Sequence, residues 1–153
     1  MTPDDPWLLL KRFTEARIGL GRSGSGMPTR EVLSFSMAHA KARDAVKTPI
    51  DWSAIETELA AQGLETLRIA SAAPDRDTYL RRPDLGRRLS PDSRQALAAL
   101  PPAETDILIV VGDGLSSTAV AANATAAIAA FLPHVRKNGW RLGPVLLATQ
   151  ARV

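Results

Sequence analysis

Residues 113–116 combine residue types and a position that suit ligand binding. Asp113, Gly114, Leu115 and Ser116 follow an apolar, β-branched run and precede a helical pattern. Open α/β sheets bind ligands at the carboxyl ends of their strands, and the amino end of a helix favours anions. The alternative is a local helix cap, in which Asp113 or Ser116 accepts hydrogen bonds from helix amides. The residues alone leave both interpretations open.

The segment 79–89, with the sequence YLRRPDLGRRL, contains the densest group of arginines in the chain, namely Arg81, Arg82, Arg87 and Arg88. Guanidinium groups bind phosphate or carboxylate in a bidentate manner, or pair with the acids of a partner chain. The alternative is a solvated surface loop. We favour contact with a partner or cofactor, because ordering a long charged loop costs conformational entropy.

The residues that could catalyse hydrolysis lack the required neighbours. Ser116 and Ser117 are not part of a G-x-S-x-G motif, and the only histidines, His39 and His134, lie in helical patterns. We expect His39 to be a core residue and His134 to lie near solvent. The chain has no cysteine. We therefore predict no catalytic and no metal-ligating residue, and we disfavour a hydrolase.

A glycine pattern at residues 19–24 resembles a dinucleotide-binding fingerprint. Gly19, Gly21 and Gly24 match the pattern G-x-G-x-x-G. The dinucleotide-binding fingerprint requires a strand before the first glycine, whereas residues 11–18 favour a helix. We interpret the glycines as a flexible link between helices.

Composition narrows the class of protein. With 153 residues, 45% hydrophobic and 23% charged, the chain has the balance of an ordinary globular domain. The net charge is +3, the basic residues are spread among acidic ones, and only 5% of the residues are aromatic. These features argue against a nucleic-acid partner. We find no stretch of about 20 uncharged apolar residues, so we expect no membrane partner. The acidic amino terminus argues against a signal peptide and predicts a cytoplasmic protein.

Hydrophobic periodicity predicts helices first and a sheet afterwards. Helices are expected at 8–18, 30–46 and 52–62, the last ended by Gly63. A half-buried strand at 65–70, an irregular stretch at 73–89 and a Ser90-capped helix to residue 100 follow. A buried strand at 107–111, a helix at 116–138 and a buried strand at 144–149 form one β-α-β unit. The predicted buried stripe of its helix comprises Val120, Ala124, Ile128, Phe131 and Val135.

The predicted fold class is α/β, with amino-terminal helices followed by an incomplete Rossmann-like parallel sheet. We divide the chain into a helical region, 1–62, and a partial α/β domain, 63–153. Parallel sheets typically have five or six strands, and only about three are found here. The chain also stops just beyond a buried strand. We therefore expect a fragment whose sheet has one unpaired edge.

Six segments together resemble the small, or light, subunit of ethanolamine ammonia-lyase. The resemblance is strongest in YLRRPDLGRRL at 79–89 and in VVGDGLS at 110–116. The others are ARIGLGRSG at 16–24, PTREVL at 28–33, HAKARDAV at 39–46 and the stretch 139–153. They extend along essentially the whole chain, and their shared order makes the resemblance fairly specific.

The resemblance implies a lyase subunit that converts ethanolamine to acetaldehyde and ammonia with adenosylcobalamin. In this family a large TIM-barrel subunit holds the substrate, and the small subunit covers the cobalamin at the interface of a hetero-oligomer. Val153 matches a cobalamin contact of the family; Arg152, Asp113 and Gly114 are weaker candidates. Most other contacts would lie beyond residue 153, so we expect this chain alone to be inactive.

Two classes of function remain open at this point. The first is the lyase subunit. Its expected location is the cytoplasm, either free or inside a bacterial microcompartment. The second is a standalone α/β binding or scaffold module that uses the same sheet without cobalamin.

Overall fold

The computed structural model describes residues 6–101 and 104–152. The chain forms two compact units, residues 1–41 and 42–153. The described residues contain seven helices and three strands.

The first unit begins with a short helix, α1 (Pro6–Leu10). The expected helix at 8–18 is wrong beyond α1, because the amides of Arg12 and Phe13 turn to carbonyls three residues back and end the helix. The chain then folds back on α1. Gly19 has φ 57°, and a Cβ there would lie 2.5 Å from the Cβ of Trp7, so this close approach requires glycine.

The long helix α2 (Thr29–Lys47) confirms the predicted helix at 30–46. None of its residues is buried, and its apolar side chains Val32 and Phe35 are 43% and 53% exposed. The core position predicted for His39 is therefore wrong. His39 stacks instead on Phe35, with ring centroids 6.3 Å apart.

In the second unit, α3 (Trp52–Ala61) begins at a side-chain cap. The Asp51 carboxylate accepts hydrogen bonds from the amides of Ser53 and Ala54. Gly63, with φ 77°, follows the helix, as expected for a glycine after its last turn. The predicted helix at 52–62 is confirmed.

Three parallel strands form the sheet, in the order β1 (Thr66–Ala70), β3 (Val145–Thr149), β2 (Val110–Gly112). Thr66 pairs with Val145 on one side of β3, and Val110 pairs with Leu146 on the other. Both outer strands lack a further partner within the described residues. The mixed α/β class agrees with the expectation from sequence, whereas two outer strands are unpaired in the described residues and one unpaired edge was expected.

The two faces of the sheet are covered unequally. Val145 and Leu147 of the central strand are fully buried, and with Val111 they pack against side chains of α3 and of α7 (Ser117–Lys137). Leu146 and Ala148 point to the opposite face, because side chains alternate along a strand. There they pack against Ile69 and the partly buried Leu97 of α6 (Pro91–Ala98). Ser90 is the N-cap of α6, so the predicted Ser90-capped helix is confirmed.

The strand predicted at 107–111 is only half buried. Regular pairing is confined to β2, with an isolated bridge from Ile107 to Leu142. Val111 is 8% exposed, whereas Leu108 and Val110 are 52% and 55% exposed. The expectation of a fully buried strand was wrong because β2 lies at the edge of the sheet and α6 does not cover its outer face.

Helix α7 joins β2 to β3 and confirms the β-α-β unit. Its buried side chains include Ile128, Leu132 and Val135, whereas Phe131, predicted for the stripe, is 38% exposed. By length and composition α7 is the one helix among the described residues that could cross a membrane, with a mean hydropathy of 1.3. Its buried side chains Ile128 and Leu132 contribute to the sheet's main core.

Candidate functional site

The candidate site lies where β2 and β3 end, and Asp113 joins the two strand ends. Its side chain is 8% exposed, and Oδ1 accepts a 2.5 Å hydrogen bond from the amide of Gln150. Gln150 has φ 55°, so the chain turns sharply directly after β3. The cap interpretation of Asp113 is not supported, since Ser116 Oγ accepts from the Ala119 amide and is the N-cap of α7.

Arg76 holds this junction from the side. Its Nη1 lies 3.4 Å from Asp113 Oδ1, and its Nη2 donates to the Asp113 carbonyl at 2.9 Å. Nη2 also lies 3.4 Å from Ser117 Oγ, and Nε donates to the Val46 carbonyl at 2.7 Å. One guanidinium therefore connects the last turn of α2, the end of β2 and the start of α7.

Arg76 begins a helix within the stretch that the sequence suggested was irregular. That stretch contains α4 (Arg76–Arg81) and α5 (Pro83–Gly86). Asp75 caps α4: its carboxylate accepts from the amide and the hydroxyl of Thr78, and this holds the pKa of Asp75 below its ordinary value. The expectation of an irregular loop was wrong because the Asp75 cap stabilises α4 and Pro83 stabilises the start of α5.

Tyr79 is the buried centre of this arrangement, with 1% of its surface exposed. Its hydroxyl donates to the Gly114 carbonyl at 2.9 Å and lies 3.4 Å from the Ala151 carbonyl. The guanidinium carbons of Arg76 and Arg152 lie 4.7 and 4.9 Å from its ring centroid. Tyr79 thus contacts both loops that follow the strands.

Two glycines allow the loops to approach so closely. A Cβ on Gly114 would overlap the Ala151 carbonyl oxygen and would lie 2.6 Å from Tyr79 Oη. A Cβ on Gly86 would lie 3.0 Å from the Tyr79 ring and 3.2 Å from Arg152 Cβ. The Gly86 carbonyl also accepts from the Arg152 amide at 2.9 Å. These glycines are required by packing.

The structure brings three of the four predicted site residues together. Asp113 and Gly114 lie beside the Ala151–Arg152 turn, and Arg152 has a buried Nε with no hydrogen-bond partner among the described residues. Val153 lies outside the described residues. Leu115, between Gly114 and the N-cap, is 88% exposed and places an apolar side chain at the rim of the site.

The arginines singled out by sequence are all exposed: Arg81, Arg82, Arg87 and Arg88. Arg82 pairs with Asp84 at 2.8 Å and lowers the pKa of that carboxyl to about 2. Sequence reasoning missed Arg76, Tyr79 and Gln150. The signal for Tyr79 was present, since it is the only tyrosine in the chain and lies within a highly charged segment.

The part of the chain described contains no group of three or more histidine, cysteine, aspartate or glutamate side chains that could hold a metal ion. The buried carboxylate of Asp113 is occupied by a backbone amide and a guanidinium. The arrangement therefore serves to fix two loops at the carboxyl edge of the sheet, beside the exposed side chain of Leu115 and the Arg152 Nε, which has no hydrogen-bond partner in the described part of the chain.

Comparison with known proteins shows the family to which this chain belongs. The family model described as ethanolamine ammonia-lyase light chain (EutC) matches residues 4–153. The small subunit of ethanolamine ammonia-lyase from Ralstonia nicotianae is 51% identical over 152 residues, which are 97% of this chain and 56% of that protein. The small subunits from Pseudomonas fluorescens SBW25 and Pseudomonas syringae pv. tomato are 47% and 49% identical, covering 99% of this chain and 56% and 54% of theirs.

The chain thus spans 54–56% of the length of these relatives. The match nevertheless includes both strand ends and the α4–α5 segment that joins them. This chain belongs to the ethanolamine ammonia-lyase light chain family.

Proposed function

We propose that this chain acts as the small subunit of an adenosylcobalamin-dependent ethanolamine ammonia-lyase and, with a large subunit, contributes to converting ethanolamine to acetaldehyde and ammonia. The observation that carries the proposal is the family match along residues 4–153. The relatives' names, which specify a small subunit, support a larger partner subunit in a hetero-oligomer.

The carboxyl edge of the sheet has features that suit a cobalamin. Arg152 offers a buried Nε donor without a hydrogen-bond partner among the described residues, and a corrin ring carries amide side chains that accept hydrogen bonds. Leu115 offers an exposed apolar surface close to Gly114. We propose that Arg152 and Val153 contact the cofactor, and that Asp113 and Gly114 lie beside it and fix the loop.

The role of this chain in the reaction is to cover the cofactor and to orient it. Bound adenosylcobalamin supplies a radical through homolysis of its cobalt–carbon bond. Arg152 would bind the cofactor's edge, and Leu115 would exclude water there. We assign no catalytic acid, base or nucleophile to this chain, so substrate chemistry belongs to the large subunit.

The proposal extends to organisation and location. Residues 63–153 form the Rossmann-like region that covers the cobalamin, and the helical region 1–62 contacts the large subunit. The protein works in the cytoplasm, including the interior of a bacterial microcompartment where one is present. The 153-residue chain is inactive without the large subunit and the remaining cofactor contacts.

The test is an absorbance titration with adenosylcobalamin, performed on the 153-residue chain alone and on its mixture with the large subunit. We expect a spectral change and co-elution only in the mixture. Arg152→Gln should weaken cobalamin binding about tenfold or more, the loss typical of a hydrogen bond from a charged group. Arg136→Gln, on the exposed part of α7, is the matched control and should change nothing.

Two outcomes contradict the proposal. If the chain binds neither the large subunit nor cobalamin, it is a standalone module that uses this sheet for another purpose. If the mixture binds cobalamin but Arg152→Gln and Arg136→Gln behave alike, the assignment of Arg152 is wrong although the subunit assignment stands.

A further inference from the structure

The half-buried side chain of Arg152 is held on the ring of Tyr79. Its guanidinium carbon lies 4.9 Å from the ring centroid, which is the distance of a cation–π contact. Within the described part of the chain, Arg152 has no ion-pair partner and its Nε has no hydrogen-bond acceptor. The aromatic ring is therefore the group that fixes the position of this guanidinium.

The ring of Tyr79 is itself fixed from two sides. Tyr79 is 1% exposed, and its hydroxyl donates to the Gly114 carbonyl at 2.9 Å. Gly86 packs against both partners, because a Cβ there would lie 3.0 Å from two ring carbons of Tyr79 and 3.2 Å from Arg152 Cβ. The Gly86 carbonyl also accepts from the Arg152 amide at 2.9 Å. The stem, the backbone and the guanidinium of Arg152 are thus all held by the segment 79–86.

Arg76, the other cation on this ring, has a different role. Its guanidinium carbon lies 4.7 Å from the Tyr79 centroid, but its Nη1 lies 3.4 Å from Asp113 Oδ1 and its Nη2 donates to the Asp113 carbonyl. Arg76 is therefore committed to the junction between the strand ends. Arg152 has no such carboxylate, so it is the cation on the ring that can serve a ligand.

From these contacts we infer that Tyr79 is a positioning residue for cobalamin binding and acts through Arg152. A long side chain loses rotamer freedom when it binds a ligand, and a side chain that is already held loses less. The two parts of Tyr79 then have separate tasks: the hydroxyl stabilises the loops, and the ring sets the affinity through Arg152. The inference rests on the proposed function, because cobalamin is the ligand that Arg152 binds there.

The single tyrosine of the chain allows a direct test of the contact. Fluorotyrosine incorporated during expression labels residue 79 alone, so the 153-residue chain should give one ¹⁹F signal. This signal should shift in Arg152→Gln, which removes the cation from the ring. It should keep its position in Arg136→Gln, on the exposed part of α7. A signal that is the same in Arg152→Gln as in the unsubstituted chain would overturn the inference.

The affinity for adenosylcobalamin, measured by absorbance titration of the mixture with the large subunit, separates the ring from the hydroxyl. Tyr79→Phe keeps the ring and should bind within about twofold of the unsubstituted chain, although it loses stability. Tyr79→Leu removes the ring and should weaken the affinity about threefold to tenfold, the effect of ordering one long side chain on binding. If Tyr79 served the fold alone, both substitutions would weaken binding together.

Two further variants show through which residue Tyr79 acts. In the Arg152→Gln background, Tyr79→Leu should weaken the affinity by less than about a further twofold, because residues that act as a unit are not additive. Gly86→Ala leaves every atom of Tyr79 in place but forces the ring and the Arg152 stem apart, and should weaken the affinity about threefold. This variant also provides the test if Tyr79→Leu does not fold.

The outcomes distinguish this inference from the proposed function. If the unsubstituted mixture binds cobalamin, the inference is wrong when Tyr79→Leu or Gly86→Ala binds as tightly as the unsubstituted chain. It is equally wrong when Tyr79→Phe loses as much affinity as Tyr79→Leu, or when the losses of Tyr79→Leu and Arg152→Gln are additive. If the unsubstituted mixture binds no cobalamin, the proposed function fails, and the inference fails with it.

Discussion

The Tyr79 hydroxyl donates a hydrogen bond of 2.9 Å to the Gly114 carbonyl, and this bond ties a short helix to the loop after β2. The same hydroxyl lies 3.4 Å from the carbonyl of Ala151, in the loop after β3. One buried phenol therefore connects both loops of the candidate site, and the charged segment around it positions those loops.

Removing this hydroxyl should destabilise the chain measurably. Tyr79→Phe leaves the buried Gly114 carbonyl without its donor, and the expected loss in the free energy of unfolding is about 1–3 kcal/mol. Urea denaturation checks it. Thr57→Val is the control, because the Thr57 hydroxyl bonds to the Ser53 carbonyl at an exposed site and its loss should cost less than about 0.5 kcal/mol. Equal effects of the two substitutions would show that Tyr79 Oη is not a structural tie.

The close approach of the two loops predicts a strong effect of Gly114→Ala. The added Cβ would overlap the Ala151 carbonyl oxygen, so the loop must move, and we expect a loss of about 1–3 kcal/mol in the free energy of unfolding. In the complex with the large subunit, cobalamin binding should weaken as well.

Gly26→Ala is the matched control for this substitution. A Cβ on Gly26 meets nothing closer than the Ser23 carbonyl oxygen at 3.9 Å. Thermal unfolding measures the loss of stability in both variants. If Gly114→Ala is as stable as Gly26→Ala, the close contact between Gly114 and Ala151 is ruled out.

The Arg82–Asp84 pair predicts a specific acid response. The hydrogen bond from Arg82 lowers the pKa of Asp84 from 3.8 to about 2 in the folded chain. The contribution of this group to stability is therefore complete above about pH 4 and is lost as the pH falls towards 2. An NMR titration of the Asp84 carboxyl carbon measures the pKa directly. Arg82→Gln should return it towards 3.8, and Arg81→Gln should not.

Much of the fold followed from local patterns in the sequence. Ser90 begins α6 and Gly63 follows the last turn of α3 as expected, and the apolar run at 145–149 is the central strand. These features depend on neighbours in sequence, where propensity and capping are informative. The position of Asp113 and Gly114 at a strand end was predictable for the same reason.

The remaining features depend on contacts between residues far apart in the chain. Arg76 meets Asp113 across 37 positions, and Tyr79 meets Ala151 across 72. No local pattern reports such pairs, so the segment around them resembled an irregular loop. The exposure of Val110 is a similar case, because an apolar run shows that a strand exists but not which of its faces is covered.

The unequal covering of the sheet gives the last prediction. Leu147 of the central strand is fully buried against α3 and α7, and Leu147→Ala should lower the free energy of unfolding by about 2–5 kcal/mol. Leu108 lies at the edge beside β2 and is 52% exposed, so Leu108→Ala should cost less than about 1 kcal/mol in the isolated chain. Urea denaturation of both variants measures the difference. A large loss for Leu108→Ala would mean that the face near β2 is covered in solution, for instance by a second copy of the chain, and a dependence of the loss on protein concentration would identify that case.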